Sequence, residues 1–362
     1  MSGNGRKCLS RSIAVMATAL VVCGQNFAAA DGLTAVKLDD HAKHMQSVAI
    51  SPDGSRVASV GDEGLIRFPW GGQATQGVLR VWETASHKPL VTQLNDHQLF
   101  AVTFLPHGAR LAVGGNGLQI VQARDGKVLR TFEGVKGPVK AIAVLRDGST
   151  LVSAGQNVVQ FWNVNSGEQR KTGYHDAEIT KAIRLTRDGR LLFAGGYLND
   201  TKAERKYYVR LWDVGHEARD LRIGYSVPTS YRDAAFIADE RRVVTVGPSG
   251  TIEEWDVHSG NRVREWETPR GVSCMAVTRN ARLLATGDYE GRMTLWDVAA
   301  ARPVGSCELP NLSCTSIAIS DDARQIVVGT FKGEVWLVSR STSAEPSDRI
   351  PNAPFQINAR TR

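Results

Sequence analysis

The chain has 362 residues, of which 42% are apolar, 7% aromatic and 22% charged, with 35 Gly and 13 Pro; this excludes a disordered or collagen-like chain and leaves room for a core of ordinary size. Formal net charge is +7, but Arg6, Lys7 and Arg11 stand in an acid-free leader, so from Asp31 onward 41 basic side chains face 37 acidic ones. Basic residues are interspersed with acids, as in Glu204-Arg205-Lys206 and Glu240-Arg241-Arg242, which argues against a nucleic-acid stripe and for a solvated surface.

Residues 1–30 have the organisation of a secretory signal. A basic start is followed by an apolar stretch from Ile13 to Val22 and by Ala28-Ala29-Ala30 ahead of Asp31. The stretch is shorter than the ~20 residues that span a bilayer, and no other segment reads as transmembrane. Export to the periplasm or exterior, with cleavage near Ala30, is expected; the minor alternative is a lipid anchor on Cys23, against which Val22 stands where a small residue is normally required.

From Leu33 onward the chain repeats. Trp followed by Asp or Asn closes a β-rich run at Trp162-Asn163, Trp212-Asp213, Trp255-Asp256 and Trp296-Asp297, with looser copies at Trp82-Glu83 and Trp336-Leu337. Val121 fills the same place in a further copy, since Gly126 follows it by five residues as Gly167 follows Trp162. Successive anchors are 39, 41, 50, 43, 41 and 40 residues apart, a period that indicates propeller blades. Within each unit an alternating apolar strand leads to a polar turn, a second strand, a Gly turn and the Trp strand, as begins at Ser47-Val48-Ala49-Ile50-Ser51-Pro52-Asp53-Gly54.

These residues resemble the WD-repeat β-propeller family from about Leu33 to Arg340. The resemblance implies an all-β, seven-bladed propeller of four-stranded antiparallel blades over residues 31–340, followed by a tail at 341–362. The last unit stops after its third strand, and Ala35-Val36-Lys37-Leu38 matches the outer-strand segment Leu90-Val91-Thr92-Gln93. The N-terminal strand is therefore expected to close the ring and remove a sheet edge. The family often links a His, a Ser or Thr, an Asp and the Trp by hydrogen bonds within a blade. Here Val135 replaces one His and Ala194 one hydroxyl, although Ser153 and Thr286 match; blades held more by apolar packing than by buried polar networks are expected. The Ser- and Pro-containing tail is read as flexible.

No catalytic motif emerges. Gly114-Gly115-Asn116-Gly117 lacks the Lys-Ser or Lys-Thr of a phosphate cradle, His216-Glu217 has Asp220 where a second metal-binding His is needed, and no nucleophile elbow is present. Asp39-Asp40-His41-Ala42-Lys43-His44 is potential ligand material, but the length from His41 to Ile50 matches that of the family, and the resemblance implies a structural use of His41 inside its blade. No cofactor, metal or catalytic residue is expected. Cys307 and Cys314 fall on an outer strand and on the next inner strand, roughly 14 Å apart against the ~4.4–6.8 Å of a bridge, so free thiols are expected.

Two units carry extra residues between their second and third strands: Phe68 to Gln73, and Tyr197 through Lys202, Arg205 and Lys206 to Tyr207. Read as loops flanking the channel mouth, they make Phe68, Trp70, Tyr197, Lys202, Arg205, Lys206 and Tyr207 the candidate contacts for a protein partner, aromatic and Arg side chains being the usual interface anchors. The expected function is a monomeric, non-enzymatic scaffold outside the cytoplasm. The alternative is a propeller enzyme or small-molecule or metal binder using Asp96, His97, Asp176 and Asp233 at the channel.

Overall fold

The computed structural model describes residues 32–341 apart from 41, 68–72, 156–157, 175–178, 187–190, 200–204, 214–219, 224–232, 238–240, 248 and 311–312. The described residues open with β1 (Leu33–Asp40) and then enter blade one, made of β2 (His44–Ile50), β3 (Arg56–Arg67), β4 (Gln73–Glu83) and β5 (Pro89–Asn95). Blade two is β6 (Leu99–Phe104), β7 (Arg110–Gly115), β8 (Leu118–Gln122) and β9 (Val128–Thr131); blade three is β10 (Ala141–Val144), β11 (Thr150–Ala154), β12 (Val158–Asn163) and β13 (Gln169–Tyr174). Blade four is β14 (Ile179–Leu185), β15 (Leu191–Asn199), β16 (Arg205–Asp213) and β17 (Asp220–Ile223); blade five is β18 (Asp233–Ile237), β19 (Arg242–Val246), β20 (Thr251–Asp256) and β21 (Arg262–Glu267). Blade six is β22 (Val272–Val277), β23 (Leu283–Asp288), β24 (Arg292–Asp297) and β25 (Arg302–Glu308), and the last described strands are β26 (Cys314–Ile319), β27 (Gln325–Thr330) and β28 (Glu334–Arg340).

These strands form seven four-stranded antiparallel sheets. Blades built from four consecutive strands nevertheless number six, not the seven units counted from the anchors, because the unit ending at Trp336 supplies only three strands. Its sheet has the order β1-β28-β27-β26. Leu33 pairs with Arg340, Ala35 with Val338 and Asp40 with Glu334, and Lys37 Nζ donates to Glu334 Oε1 at 2.8 Å. The first and last described strands thereby share one sheet, and neither leaves an open edge there.

A single blade cannot bury both of its faces, and stacking between blades does so here. The second strands accordingly lack alternation: every residue of β11 is buried, and so are Val243–Val246 of β19. Outer strands such as β9 are largely exposed. The apolar clusters lie between blades. Val57 and Trp82 of blade one pack with Val327 and Leu337 of the closing sheet, while Ala58 and Leu79 pack with Leu99 and Phe104 of blade two. Each fully buried Val or Leu contributes about 1.5–3 kcal/mol relative to exposure.

The anchor dipeptides have a local cause. The Trp points into the stack, and the residue after it caps the following turn: Asp256 Oδ1 accepts from the backbone N–H of His258 and Ser259 at 3.1 and 2.8 Å, Asn163 Oδ1 from Asn165 and Ser166, and Asp297 Oδ1 from Ala300. Such caps satisfy donors that the strand end would otherwise leave unpaired. At the opposite turn of blade one, Asp53 accepts from the Ser51 hydroxyl and the Ser55 N–H, bonds that hold its carboxyl below the usual range. Gly54 follows at φ 71°.

Polar networks are more extensive than the sequence reading expected. Trp162, Trp255 and Trp296 donate their indole N–H to Ser153, Thr245 and Thr286 at 2.8, 3.0 and 2.9 Å. In blade five Glu254 is buried and receives Arg242 on one oxygen and Arg264 on the other, while Arg264 also donates to Val298 and Ala299 carbonyls of blade six. These networks stand beside the expected apolar packing between blades: two of them use Ser153 and Thr286, the hydroxyls that match the family pattern, while the Glu254 network draws on cross-strand neighbours that the pattern does not name. The thiol expectation is corrected in part. Cys314 and Cys274 are free and buried, whereas Cys307 is disulfide-bonded and pairs with neither. Cys307 lies on outer strand β25 and Cys314 on inner strand β26.

Two outcomes are expected. Gly54→Ala, whose added Cβ meets nothing closer than 3.7 Å, lowers stability by about 1 kcal/mol through the left-handed backbone alone, read as a drop in urea midpoint. Glu254→Ala costs about 2 kcal/mol, reduced from the ~3–5 of a fully buried pair because both Arg side chains reach solvent; an unchanged midpoint would show the network to be idle.

Candidate functional site

The upper rim is the end of the ring where the inner strands begin. There most inner strands carry one extra residue that breaks the ladder, between Met45 and Ser47, Leu99 and Ala101, Thr180 and Ala182, Val272 and Cys274, and Cys314 and Ser316. A bulge of this kind re-aims the inserted side chain. Gln46, Phe100, Ser273 and Thr315 thereby line the central cavity of about 1240 Å³, joined by Lys140 at the start of blade three.

Consecutive members of the ring supply an arc of rings and one cation around this mouth. Tyr289 stands in the turn between β23 and β24, Phe331 in the turn between β27 and β28, His44 at the head of β2, and Phe100 and Lys140 follow in blades two and three; all five line the cavity. Phe331 is 60% and Tyr289 40% exposed. The His44 and Phe331 ring centroids are 5.4 Å apart. The Lys140 ammonium sits 3.0 Å from the Phe100 centroid, where a cation is attracted to the ring face, and burial pushes its pKa down.

Sequence reasoning missed this arc because its members belong to different repeats and come from different kinds of position, two from turns between second and third strands and three from the heads of inner strands or just before them. The bulges were likewise hidden, since one residue leaves the 40-residue period intact. The two insertions were visible, but their form differs from the expected loops: both are continuations of the ladder. β3 and β4 stay paired beyond the start of β2 as far as Arg67 opposite Gln73, and β15 and β16 as far as Asn199 opposite Arg205. Two β-hairpins therefore rise from the upper rim, with Leu65 on the first 70% exposed. Among the proposed contacts, Tyr197 lies opposite Tyr207, Lys206 opposite Leu198, and Arg205 at the end of the paired stretch. Phe68, Trp70 and Lys202 lie outside the described residues, as do His41, Asp176 and the leader. The Trp82, Trp162, Trp255, Trp296 and Trp336 anchors are buried and belong to the stack, and Trp212 lies on β16.

Among the described channel candidates only Asp233 lines the cavity. Asp233 accepts from Arg184 Nη2 at 3.0 Å, from the Ala234 N–H and from the Met275 N–H at 3.2 Å, so it ties blades four, five and six together. Asp96 and His97 are not among the residues lining the cavity. Among the described residues no three His, Cys, Asp or Glu side chains form a metal-binding group.

The WD domain, G-beta repeat, matches residues 33–68, 126–163 and 260–297. Target of rapamycin complex subunit LST8 of Bos taurus is 26% identical over 224 residues, 60% of this chain and 65% of that protein, so the chain spans just under two thirds of this relative's length. Guanine nucleotide-binding protein subunit beta of Nicotiana tabacum is 24% identical over 74% of this chain and 72% of its own; the Solanum tuberosum subunit is 23% identical over 81% and 80%. These matches support a WD-repeat propeller.

Reductive methylation with isotope-labelled formaldehyde gives each lysine a separate resonance. The Lys140 signal is expected to titrate below that of dimethyl-lysine in a short peptide, since burial lowers its pKa, and to move up in Phe100→Ala, where opening the site restores hydration; titration at or above the peptide value in the native protein would contradict this burial.

Proposed function

We propose that the chain is a non-enzymatic scaffold, exported by its leader, that docks a protein partner on the upper rim between the two hairpins and over the channel mouth. The observation that carries this reading is that both hairpins rise from the rim that also holds exposed Leu65, Tyr289 and Phe331. Exposed apolar and aromatic groups grouped at one site mark interaction surfaces more often than chance exposure does. The relatives' names describe subunits of larger assemblies, which accords with a binding role. The rigid closed ring suits it too, because a preformed surface loses little entropy when a partner docks.

The export reading rests on residues 1–30; cleavage near Ala30 would leave β1 intact and would remove Cys8 and Cys23, the two cysteines left to bridge Cys307 in the full chain. Affinity capture from the native cell envelope and secreted fraction tests the whole reading. A Tyr289→Ala, Phe331→Ala bait and a Trp70→Ala, Tyr207→Ala bait, each with an unchanged thermal midpoint, are expected to lose at least tenfold of a partner retained by the native protein. Equal recovery on all three would contradict docking at this rim, and a mature protein beginning at Met1 would contradict export.

A further inference from the structure

Cys274 and Cys314 stand on β22 and β26, the inner strands of blade six and of the closing sheet. They belong to one buried cluster with Met293 and Leu295. A Cβ placed on Gly287 of β23 would lie 2.9 Å from the Cys274 sulfur and 3.1 Å from the Cys314 sulfur. Both thiols therefore converge on the space that this glycine leaves. The Ser273 hydroxyl bridges the same junction, donating to the Cys314 carbonyl at 2.6 Å and lying 2.9 Å from the Gly287 carbonyl oxygen. Both cysteines also form part of the wall of the central cavity.

We propose that Cys274 and Cys314 are an oxidisable dithiol, which a peroxide entering the channel converts to a disulfide joining blade six to the closing sheet. One sulfur attacks the peroxide O–O bond and becomes a sulfenic acid as the first water leaves. The second sulfur attacks that sulfenic sulfur, the S–S bond forms, and the hydroxyl departs as the second water with the remaining thiol proton. Peroxide is the two-electron oxidant, and both thiol protons end in water. Burial pushes the Cys314 thiol up to about 12 and the Cys274 thiol well above its ordinary range, so the reaction is slow and the reduced pair persists until oxidant accumulates. The bridge stiffens the junction beside the sheet that unites the chain ends, which is where a cross-link restrains opening of the ring.

Full-length protein is treated with hydrogen peroxide below its unfolding temperature, alkylated in denaturant and digested without reduction. A peptide pair linked through Cys274 and Cys314 is expected, separate from the Cys307 bridge, with a thermal midpoint raised by about 5 °C. Cys274→Ala is expected to fold, lose the linked pair and show no peroxide-dependent shift. Gly287→Ala is expected to slow linkage, because its methyl group would separate the sulfurs. Recovery of Cys274 and Cys314 from the native protein as separate thiols or separate sulfinic acids, or linkage of either to Cys307, would overturn the proposal without reference to any variant and without bearing on partner docking.

Discussion

The pairing of β1 with β28 is the contact on which the ring depends. Each blade covers a neighbour's face, so an incomplete last sheet would leave β28 with unpaired backbone groups and would weaken the packing of its own Trp336 and Val338. Closing the sheet with the first strand joins residues some 300 positions apart. It also makes the stack circular: Trp82 of blade one packs against Val327 and Leu337 of the closing sheet, just as Phe132 and Trp162 pack at a junction within the chain.

A closed stack fixes where variation is tolerated. The inner ends of the blades are tied across junctions by Ser316 to the Val48 N–H, by Asp233 to the Met275 N–H and by Ser273 to the Cys314 carbonyl. Substitutions there disturb two blades at once. At the upper rim, by contrast, a ladder can run on past its neighbours without loosening the core, and blades one and four do so. Bulged side chains at the heads of the inner strands then decide the chemistry of the mouth: a hydroxyl at Ser273, an amide at Gln46, a ring at Phe100 and a cation at Lys140. The same scaffold thus separates residues that hold the ring from those available to a partner.

Much of this was legible in the sequence because its causes are local. Asp256, Asn163 and Asp297 cap turns within three residues, so the Trp-Asp or Trp-Asn pair marks the end of a third strand wherever it stands. Ala35 to Leu38 could be placed because an outer strand has a recognisable length and pattern. What escaped depends on register. Glu254 meets Arg264 directly across the ladder, and Arg242 reaches it from the strand on the other side; no linear spacing advertises that triad. The Tyr197 to Tyr207 segment read as a loop from its polar middle, Asn199 to Lys202, yet its arms pair as strands because antiparallel hydrogen bonding is indifferent to that composition. The aromatic arc required knowing which turns share a rim, and the convergence of Cys274 with Cys314 required knowing what Gly287 leaves empty.

Hydrogen exchange followed by mass spectrometry tests the central claim, that the ring is closed by its own chain ends. Peptides covering 33–40 and 334–340 are predicted to exchange together and as slowly as those of β27, since neither strand is released without opening the whole sheet. Rapid exchange of 33–40 while 334–340 stays protected would show that β1 does not close the ring, and would contradict the account.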